Sequence, residues 1–187
     1  LSLGLGLVGY LMIHKNFELA KQTQLKNAIV QNNLVQSSVE YELLQLLNSV
    51  SDNSETSNNN TDNNNADNSN AEKSGVTASS ITAQLPQIGG RVSSSVRSRD
   101  SFFYIYFDGE KVYTDDKSDA GISDTLFKNL TTGNKNYVIK EESQKHYIYV
   151  TSQSVIDEKN LWIVSKCDAS EAYTLLDEQI NDFRLII

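Results

Sequence analysis

Residues 101–114, SFFYIYFDGEKVYT, decide the fold of this chain. The run Ser101–Phe107 is rich in aromatic side chains, which favour a β-strand. Asp108 and Gly109 are a strong signal for a tight hairpin turn, and Glu110–Thr114 supplies the returning strand. These residues therefore predict an antiparallel hairpin that begins a sheet.

The sequence after the hairpin predicts a short helix, three more strands and a final helix. Residues 122–130 have a helical pattern, with Ser123 or a neighbour as the N-cap and Gly133 as the stop. The three strands are predicted over 136–141, 145–153 and 161–167. Residues 168–171 match a capping box, and the final helix is predicted over 172–183. The fold class is therefore α+β, with a five-stranded antiparallel sheet and a C-terminal exit helix.

Two helices are predicted before the hairpin. Apolar residues recur at mostly three- to five-residue gaps over residues 14–50, which predicts one long amphipathic stalk helix. The second helix is indicated by apolar residues at helical spacing, which are Ile81, Leu85, Ile88, Val92 and Val96. Pro86, with Gly89 and Gly90 after it, predicts a kink or a break in this second helix.

Residues 51–75 dilute the composition of the chain. They contain no Val, Ile, Leu or aromatic residue, and their five carboxylates against one lysine give a net charge of −4. Such a segment buries too little apolar surface to offset its ordering entropy, so we expect a disordered Asn/Ser-rich insert. Half of the formal net charge of −8 lies there. The compact core is expected over residues 76–183.

Both ends of the sequence are apolar. Residues 1–13, LSLGLGLVGYLMI, carry no charge, and a complete membrane span needs about 20 such residues. We therefore expect the outer end of a first transmembrane helix here, and the start of a second transmembrane segment at residues 184–187. A signal peptide is one alternative, although no cleavage site of small residues follows. A buried core helix is the other, but the glycines of the run suit a membrane helix better.

The composition excludes several classes of function. One cysteine allows neither an intrachain disulfide nor a cysteine zinc cluster, and the distant His14 and His146 form no zinc-binding pair. An acidic chain is a poor candidate for nucleic-acid binding. The sequence has no G-x-S-x-G motif and no phosphate-binding loop. We therefore predict no catalytic residue and no resident cofactor in this fragment.

The order of these elements resembles the PAS-like, single-Cache sensor domains of bacterial transmembrane sensor histidine kinases. The likeness covers about residues 10–187, and the Asn-rich insert departs from it. The segments that carry it are the hairpin at 107–113, the last strand at 161–166, the turn at 168–173, Asp177-Glu178-Gln179, and the apolar end at 185–187.

The resemblance implies the extracytoplasmic sensing domain of a two-component kinase in the bacterial cell membrane. Such a domain passes a small-molecule, peptide or ion signal through the membrane by helix displacement. ATP and Mg²⁺ would belong to a cytoplasmic kinase region absent from this sequence, and a cytoplasmic response regulator would be its partner. The long helix is expected to pair with its copy in a homodimer. The alternatives are a chemoreceptor or cyclase-type receptor, or a membrane-anchored surface binding protein.

The ligand pocket is expected on one face of the sheet, as the resemblance implies. Successive strand residues face opposite sides, so Phe103, Ile105 and Phe107 are assigned to the core and the alternating tyrosines to the other face. The pocket candidates are Tyr104, Tyr106, Tyr113, Tyr147, Tyr149 and Arg99. The alternatives are ordinary packing for the tyrosines and a helix C-terminus for the arginine.

Four aspartates surround the hairpin and are the candidate ligands of a divalent cation, which binds carboxylate oxygens. They are Asp108, Asp115, Asp116 and Asp119. Their spacing does not match an EF-hand loop, and an Asp-rich turn is the alternative. Cys167 is expected to be a small, buried side chain at a strand end.

Overall fold

The computed structural model describes residues 2–55, 78–96, 98, 101–118 and 121–186. In this part of the chain the elements are α1 (Ser2–Glu55), α2 (Ala78–Val96), β1 (Ser101–Phe107), β2 (Glu110–Thr114), α3 (Asp124–Thr132), β3 (Tyr137–Glu142), β4 (Lys145–Ile156), β5 (Lys159–Asp168) and α4 (Ser170–Ile186). The predicted α+β class is confirmed. Residues 56–75 of the predicted insert lie outside the described residues.

The five strands form one sheet in the order β2-β1-β5-β4-β3, and all neighbours are antiparallel. The predicted hairpin is confirmed, with Phe107 opposite Glu110 across the turn. The last strand, β5, occupies the centre of the sheet and is hydrogen-bonded to β1 and β4. A single residue, Ala169, separates β5 from α4, so the central strand leads directly into the last helix.

Helices cover both faces of the sheet. α1 and α2 cover one face, where their apolar residues pack on Phe103, Ile105, Phe107, Leu161 and Ile163. α3 covers the other face, and its core includes Tyr104, Tyr106, Leu126, Leu130, Tyr149 and Val164. The predicted alternation along β1 is therefore confirmed, and each set of β1 side chains belongs to a core of its own.

α1 and α4 run side by side in opposite directions. Residues 24–31 of α1 line one depression together with residues 167–171, and residues 16–24 line the next together with residues 171–179. Residues nearer the start of α1 therefore lie beside residues nearer the end of α4. The first and last described residues consequently lie toward the same end of the molecule.

The long helix α1 extends further than predicted. It has 54 residues and ends at Glu55, five residues beyond the expected end at Val50. At about 1.5 Å per residue it spans roughly 80 Å. No helix in the described part of the chain is both long enough and apolar enough to cross a membrane. The transmembrane segments expected at the two ends stay predictions.

Of the kink or break predicted in the second helix, the break is wrong, because α2 is helical without interruption across Pro86; the kink stays a prediction. Leu85 and Ile88, on either side, are fully buried in the core with α1 and the sheet, and this burial holds the helix together despite the missing hydrogen-bond donor. Gly89 does not interrupt the helix, although its position after Pro86 indicates a break. A Cβ atom there would lie 2.4 Å from Cγ of Tyr113, so glycine permits the close approach of α2 to β2.

The boundaries of α3 follow the predicted signals. The Ser123 hydroxyl accepts a hydrogen bond from the backbone N–H of Leu126 at 3.3 Å, and the backbone N–H of Gly133 donates to the carbonyl of Asn129 at 3.1 Å. Each end of the helix therefore has one of its free backbone groups satisfied. Between these ends, Leu126 and Leu130 pack α3 on the sheet face that carries the tyrosines.

Candidate functional site

A charged cluster lies on the face of the sheet that α3 covers, and Lys166 of the central strand is its centre. Only 13% of the Lys166 side chain is exposed. Its ammonium nitrogen Nζ lies 3.1 Å from Oε2 of Glu142 and 3.9 Å from Oδ2 of Asp116. The same nitrogen lies 4.4 Å from the centre of the Tyr147 ring and 5.8 Å from that of Tyr149. A lysine buried this deeply is held by two carboxylates and two aromatic faces.

Two tyrosine hydroxyls complete the cluster. The Tyr104 hydroxyl donates to Oδ2 of Asp116 at 2.9 Å, and the Tyr149 hydroxyl donates to Oε2 of Glu142 at 2.9 Å. The backbone N–H and the hydroxyl of Ser118 donate to Oδ1 of Asp116 at 3.0 and 2.6 Å. We call this set, with Lys166 and Tyr147, the Lys166 cluster.

The cluster keeps both carboxylates ionised. Burial raises the pKa of Asp116, but hydrogen bonds from Ser118 and Tyr104 and the charge of Lys166 outweigh it, and the pKa lies below its usual range. The pKa of Glu142 is lowered in the same way, since hydrogen bonds from Lys140, Lys166 and Tyr149 outweigh its burial. The tyrosines respond in the opposite direction. Burial and the neighbouring carboxylates raise the pKa of Tyr104 and Tyr149, so their hydroxyls stay protonated and donate.

Sheet pairing brings distant parts of the sequence to this point. Lys166 lies opposite Tyr149 on β4 and opposite Phe102 on β1. Glu142 is the last residue of the edge strand β3, and Asp116 follows the other edge strand, β2. The Lys166 cluster therefore connects the two edges of the sheet to its central strand.

The structure separates the predicted pocket tyrosines into three groups. Tyr104, Tyr147 and Tyr149 belong to the Lys166 cluster. Tyr106 lies in the same core but stacks on Phe127 with ring centres 4.2 Å apart, and burial raises its pKa to about 12. Tyr113 faces the opposite side of the sheet, where it packs on Phe103 and α2. The remaining candidate, Arg99, lies outside the described residues.

The candidate cation ligands are not brought together. The Asp115 carboxylate faces α2, where it accepts from the backbone N–H of Phe103 at 2.7 Å and from the Ser93 hydroxyl at 3.1 Å. Asp116 faces the other side of the sheet. Asp108 lies in the hairpin turn and pairs with Nζ of Lys159 at 2.5 Å. Asp119 is outside the described residues, among which no group of three or more His, Cys, Asp or Glu side chains is arranged to hold a metal ion.

Three members of the cluster, Lys166, Glu142 and Ser118, were missed from the sequence. Lys166 stands in the apolar run LWIVSKC, directly after two buried residues, Val164 and Ser165. A lysine in a buried strand requires a partner, and this is the signal that could have identified it. Glu142 carries no comparable signal, because it ends an edge strand beside exposed polar residues.

The junction of β5 and α4 is held by a chain of specific contacts. Asp168 accepts from the backbone N–H of Ser170 at 2.9 Å and pairs with Lys145 at 3.0 Å. Burial acts to raise the pKa of Asp168, but these contacts outweigh it and lower the pKa. One turn further along α4, the Tyr173 ring stacks on His146 of β4 at 3.6 Å and meets Phe17 of α1 edge-on at 5.2 Å.

No protein-family model, curated protein or solved structure matches this chain. Function is therefore inferred from the fold, the Lys166 cluster and the arrangement of α1 and α4. Within the Lys166 cluster the lysine and the two carboxylates balance one another, and both tyrosine hydroxyls donate to those carboxylates.

Proposed function

We propose that this chain is the extracytoplasmic sensing domain of a bacterial transmembrane sensor histidine kinase. The observation that carries the proposal is the antiparallel packing of α1 and α4, which leads both ends of the described chain toward one end of the molecule. A membrane at that end would receive both helices. A shift of α4 against α1 would then transmit a signal to a cytoplasmic kinase region, which binds ATP and Mg²⁺ and phosphorylates a response regulator.

The Lys166 cluster is the proposed origin of that shift. Lys166 lies four positions before Ser170, the first residue of α4, on a strand that continues into the helix. A ligand or ion that competes for Lys166, Asp116 or Glu142 would leave the remaining charges without partners, and these would rearrange because an unpaired buried charge is costly. Helix shifts of about 1–2 Å at interfaces are a known form of such switching.

The exposed apolar residues at the start of α1 support the membrane assignment. Leu7, Val8, Tyr10, Leu11 and Met12 are 55–62% exposed. A contiguous apolar patch of this kind is unusual on a surface that faces only water. It fits the prediction that α1 continues a membrane span.

The first test alters the helical phase of α4 in the full-length protein. One alanine inserted after Gln179 rotates everything that follows by about 100°, and we expect it to abolish the ligand response or to fix the kinase in one state. Autophosphorylation with ATP in membrane vesicles measures the output.

The matched control inserts seven residues at the same site. Seven residues make about two complete turns and restore the phase within about 20°, so this variant should keep most of the response. Equal output from the two insertions and the unmodified protein would contradict the proposal, because α4 would then not transmit by its orientation.

The proposed homodimer has a defined surface on α1. Large apolar side chains, each about half exposed or more, form one line on the helix side opposite the buried Val35, Val39 and Leu43. They are Val8, Met12, Leu19, Val30, Leu34, Tyr41 and Leu44, and we call them the α1 stripe. At about 100° per residue they fall within an arc of roughly 80°. The exposed Lys26 lies at the edge of the same arc, so the two copies of this lysine would flank the apolar contact in a parallel pair.

Cysteine cross-linking tests the α1 stripe. In a Cys167→Ser background, Leu34→Cys should form a disulfide-linked dimer under mild oxidation, because equivalent residues meet across a parallel two-fold interface. Non-reducing electrophoresis measures the dimer. Gln22→Cys, which is exposed but lies off the stripe, should stay monomeric. Equal cross-linking of the two variants would argue against this interface.

A further inference from the structure

An open groove lies on the α3 side of the sheet, at the C-terminal end of α3. Its volume is about 600 Å³, within the range of about 300–1,000 Å³ typical of small-molecule sites. One wall comes from the end of α3 and the loop over 133–136, and the floor comes from β4 and β5. The groove contains Trp162, the single tryptophan of the chain, and we call it the Trp162 groove. Neither the Lys166 cluster nor the proposed signalling path includes it.

The charges around the groove disfavour an ionic ligand. None of the residues that line it is a carboxylate, so a metal ion or an organic cation finds no counter-charge. The C-terminal end of α3, with its partial negative charge, disfavours an anion. The one cationic residue, Lys135, has its Nζ 5.5 Å from the centre of the Tyr137 ring. The groove therefore favours a neutral ligand.

The polar groups of the groove are amides and hydroxyls, which both donate and accept hydrogen bonds. Asn134 and Asn136 are exposed at the rim. Gln153 is exposed on the floor, and its Nε2 donates to Oδ1 of Asn160 at 2.5 Å, which leaves its Oε1 to accept from a ligand. Neutral amides suit a ligand whose own groups are hydroxyls.

Trp162 adds an aromatic surface next to these amides. Its ring is partly buried and meets the edge of Phe127 with centres 6.4 Å apart, which fixes its orientation. An indole ring offers a flat apolar face with one donor at its rim. The C–H face of a sugar ring packs on such a surface while its hydroxyls reach the surrounding amides.

We propose that the Trp162 groove binds a neutral saccharide, with the sugar ring against Trp162 and its hydroxyls on Gln153 and the rim asparagines. This site goes beyond the proposed sensing function and does not depend on any kinase output. A free sugar and the end of a cell-surface glycan share the chemistry that the groove would recognise.

Trp162 is also the probe for the test. We expect saturable changes in its fluorescence when the chain is titrated with N-acetylglucosamine or with its β-1,4-linked tetramer. Tighter binding of the tetramer identifies a glycan as the source, and equal binding identifies a free sugar. Glutamate and putrescine, one anionic and one cationic, should cause no saturable change.

Two variants locate the site. Gln153→Ala should weaken saccharide binding by about tenfold, as expected for the loss of a hydrogen-bonding side chain, while the far-UV spectrum and the unfolding temperature stay unchanged. Gln22→Ala removes the same kind of exposed side chain from α1 and should bind like the unmodified chain. The proposal is overturned if no saccharide gives saturation, if glutamate or putrescine binds instead, or if Gln153→Ala binds as tightly as Gln22→Ala.

Discussion

Replacement of Lys166 by methionine is expected to lower the free energy of unfolding by about 3 kcal/mol. Methionine fills a similar volume but leaves Asp116 and Glu142 without their shared cation. Asp116 is 5% exposed, so water cannot replace the ammonium. Removal of one partner from a buried ion pair is costly mainly because the other charge stays buried.

Lys140→Met is the matched control, because Lys140 contacts the same carboxylate. Its Nζ lies 3.0 Å from Oε1 of Glu142, but 46% of its side chain is exposed. An exposed pair contributes about 0–1 kcal/mol, so this variant should unfold at nearly the same urea concentration as the unmodified chain. Equal losses in the two variants would show that burial of Lys166 does not determine its contribution.

The pH dependence of stability tests the Lys166→Met prediction in a second way. The pKa values of Asp116 and Glu142 are lowered in the folded state, so their stabilising effect is complete above the unfolded values of about 4 and is lost as the pH falls through the folded values. Below that pH the carboxyls are neutral, and the missing cation no longer matters. The difference in stability between Lys166→Met and the unmodified chain should therefore shrink between pH 7 and pH 3.

Gly89→Ala is expected to destabilise the fold by about 2 kcal/mol, a typical cost of an added methyl group in a packed interface. The new Cβ atom would lie 2.4–2.7 Å from three ring atoms of Tyr113. That ring also packs on Phe103 at 5.4 Å, so it cannot move away without loosening the core between α2 and the sheet.

The adjacent glycine, Gly90, provides a control for which the opposite change in stability is expected. A Cβ atom at Gly90 would have no heavy atom within 4 Å, and alanine is better than glycine inside a helix by about 0.8–1.0 kcal/mol. Gly90→Ala should therefore stabilise the chain. The unfolding temperatures of the two variants measure both effects. If both temperatures changed in the same direction, the close approach of α2 to Tyr113 would be contradicted.

The hairpin, the capped helix α3 and the alternation along β1 could be predicted because each depends on local chemistry. The turn at Asp108 and Gly109 depends on those two residues and not on distant packing. The N-cap at Ser123 likewise depends only on the helix that directly follows it. At Pro86, packing between distant parts of the chain outweighs the local conformational preference. The break that it favours is prevented by the burial of Leu85 and Ile88, and that burial depends on α1 and on strands later in the sequence.

The candidate site was predictable only in part, for a similar reason. Tyr104 and Tyr149 could be assigned to one face from alternation and from the resemblance. The pairing of Lys166 with Glu142 and Asp116 requires the strand order, because the three residues meet only when β5 lies in the middle of the sheet. The separation of Asp115 from Asp116 follows from the same geometry, since neighbouring residues face different layers. Proximity in the sequence alone therefore cannot show which of these aspartates lie on the same side of the sheet.

The antiparallel arrangement of α1 and α4 also has a mechanical consequence. Tension between the two ends of the chain would load the contacts nearest those ends first, so α4 would separate from α1 progressively, at low force. A displacement that begins in β5 meets a different resistance, because hydrogen bonds to β1 and β4 hold that strand on both sides and must be sheared together. The domain is therefore compliant at its ends and stiff at its centre.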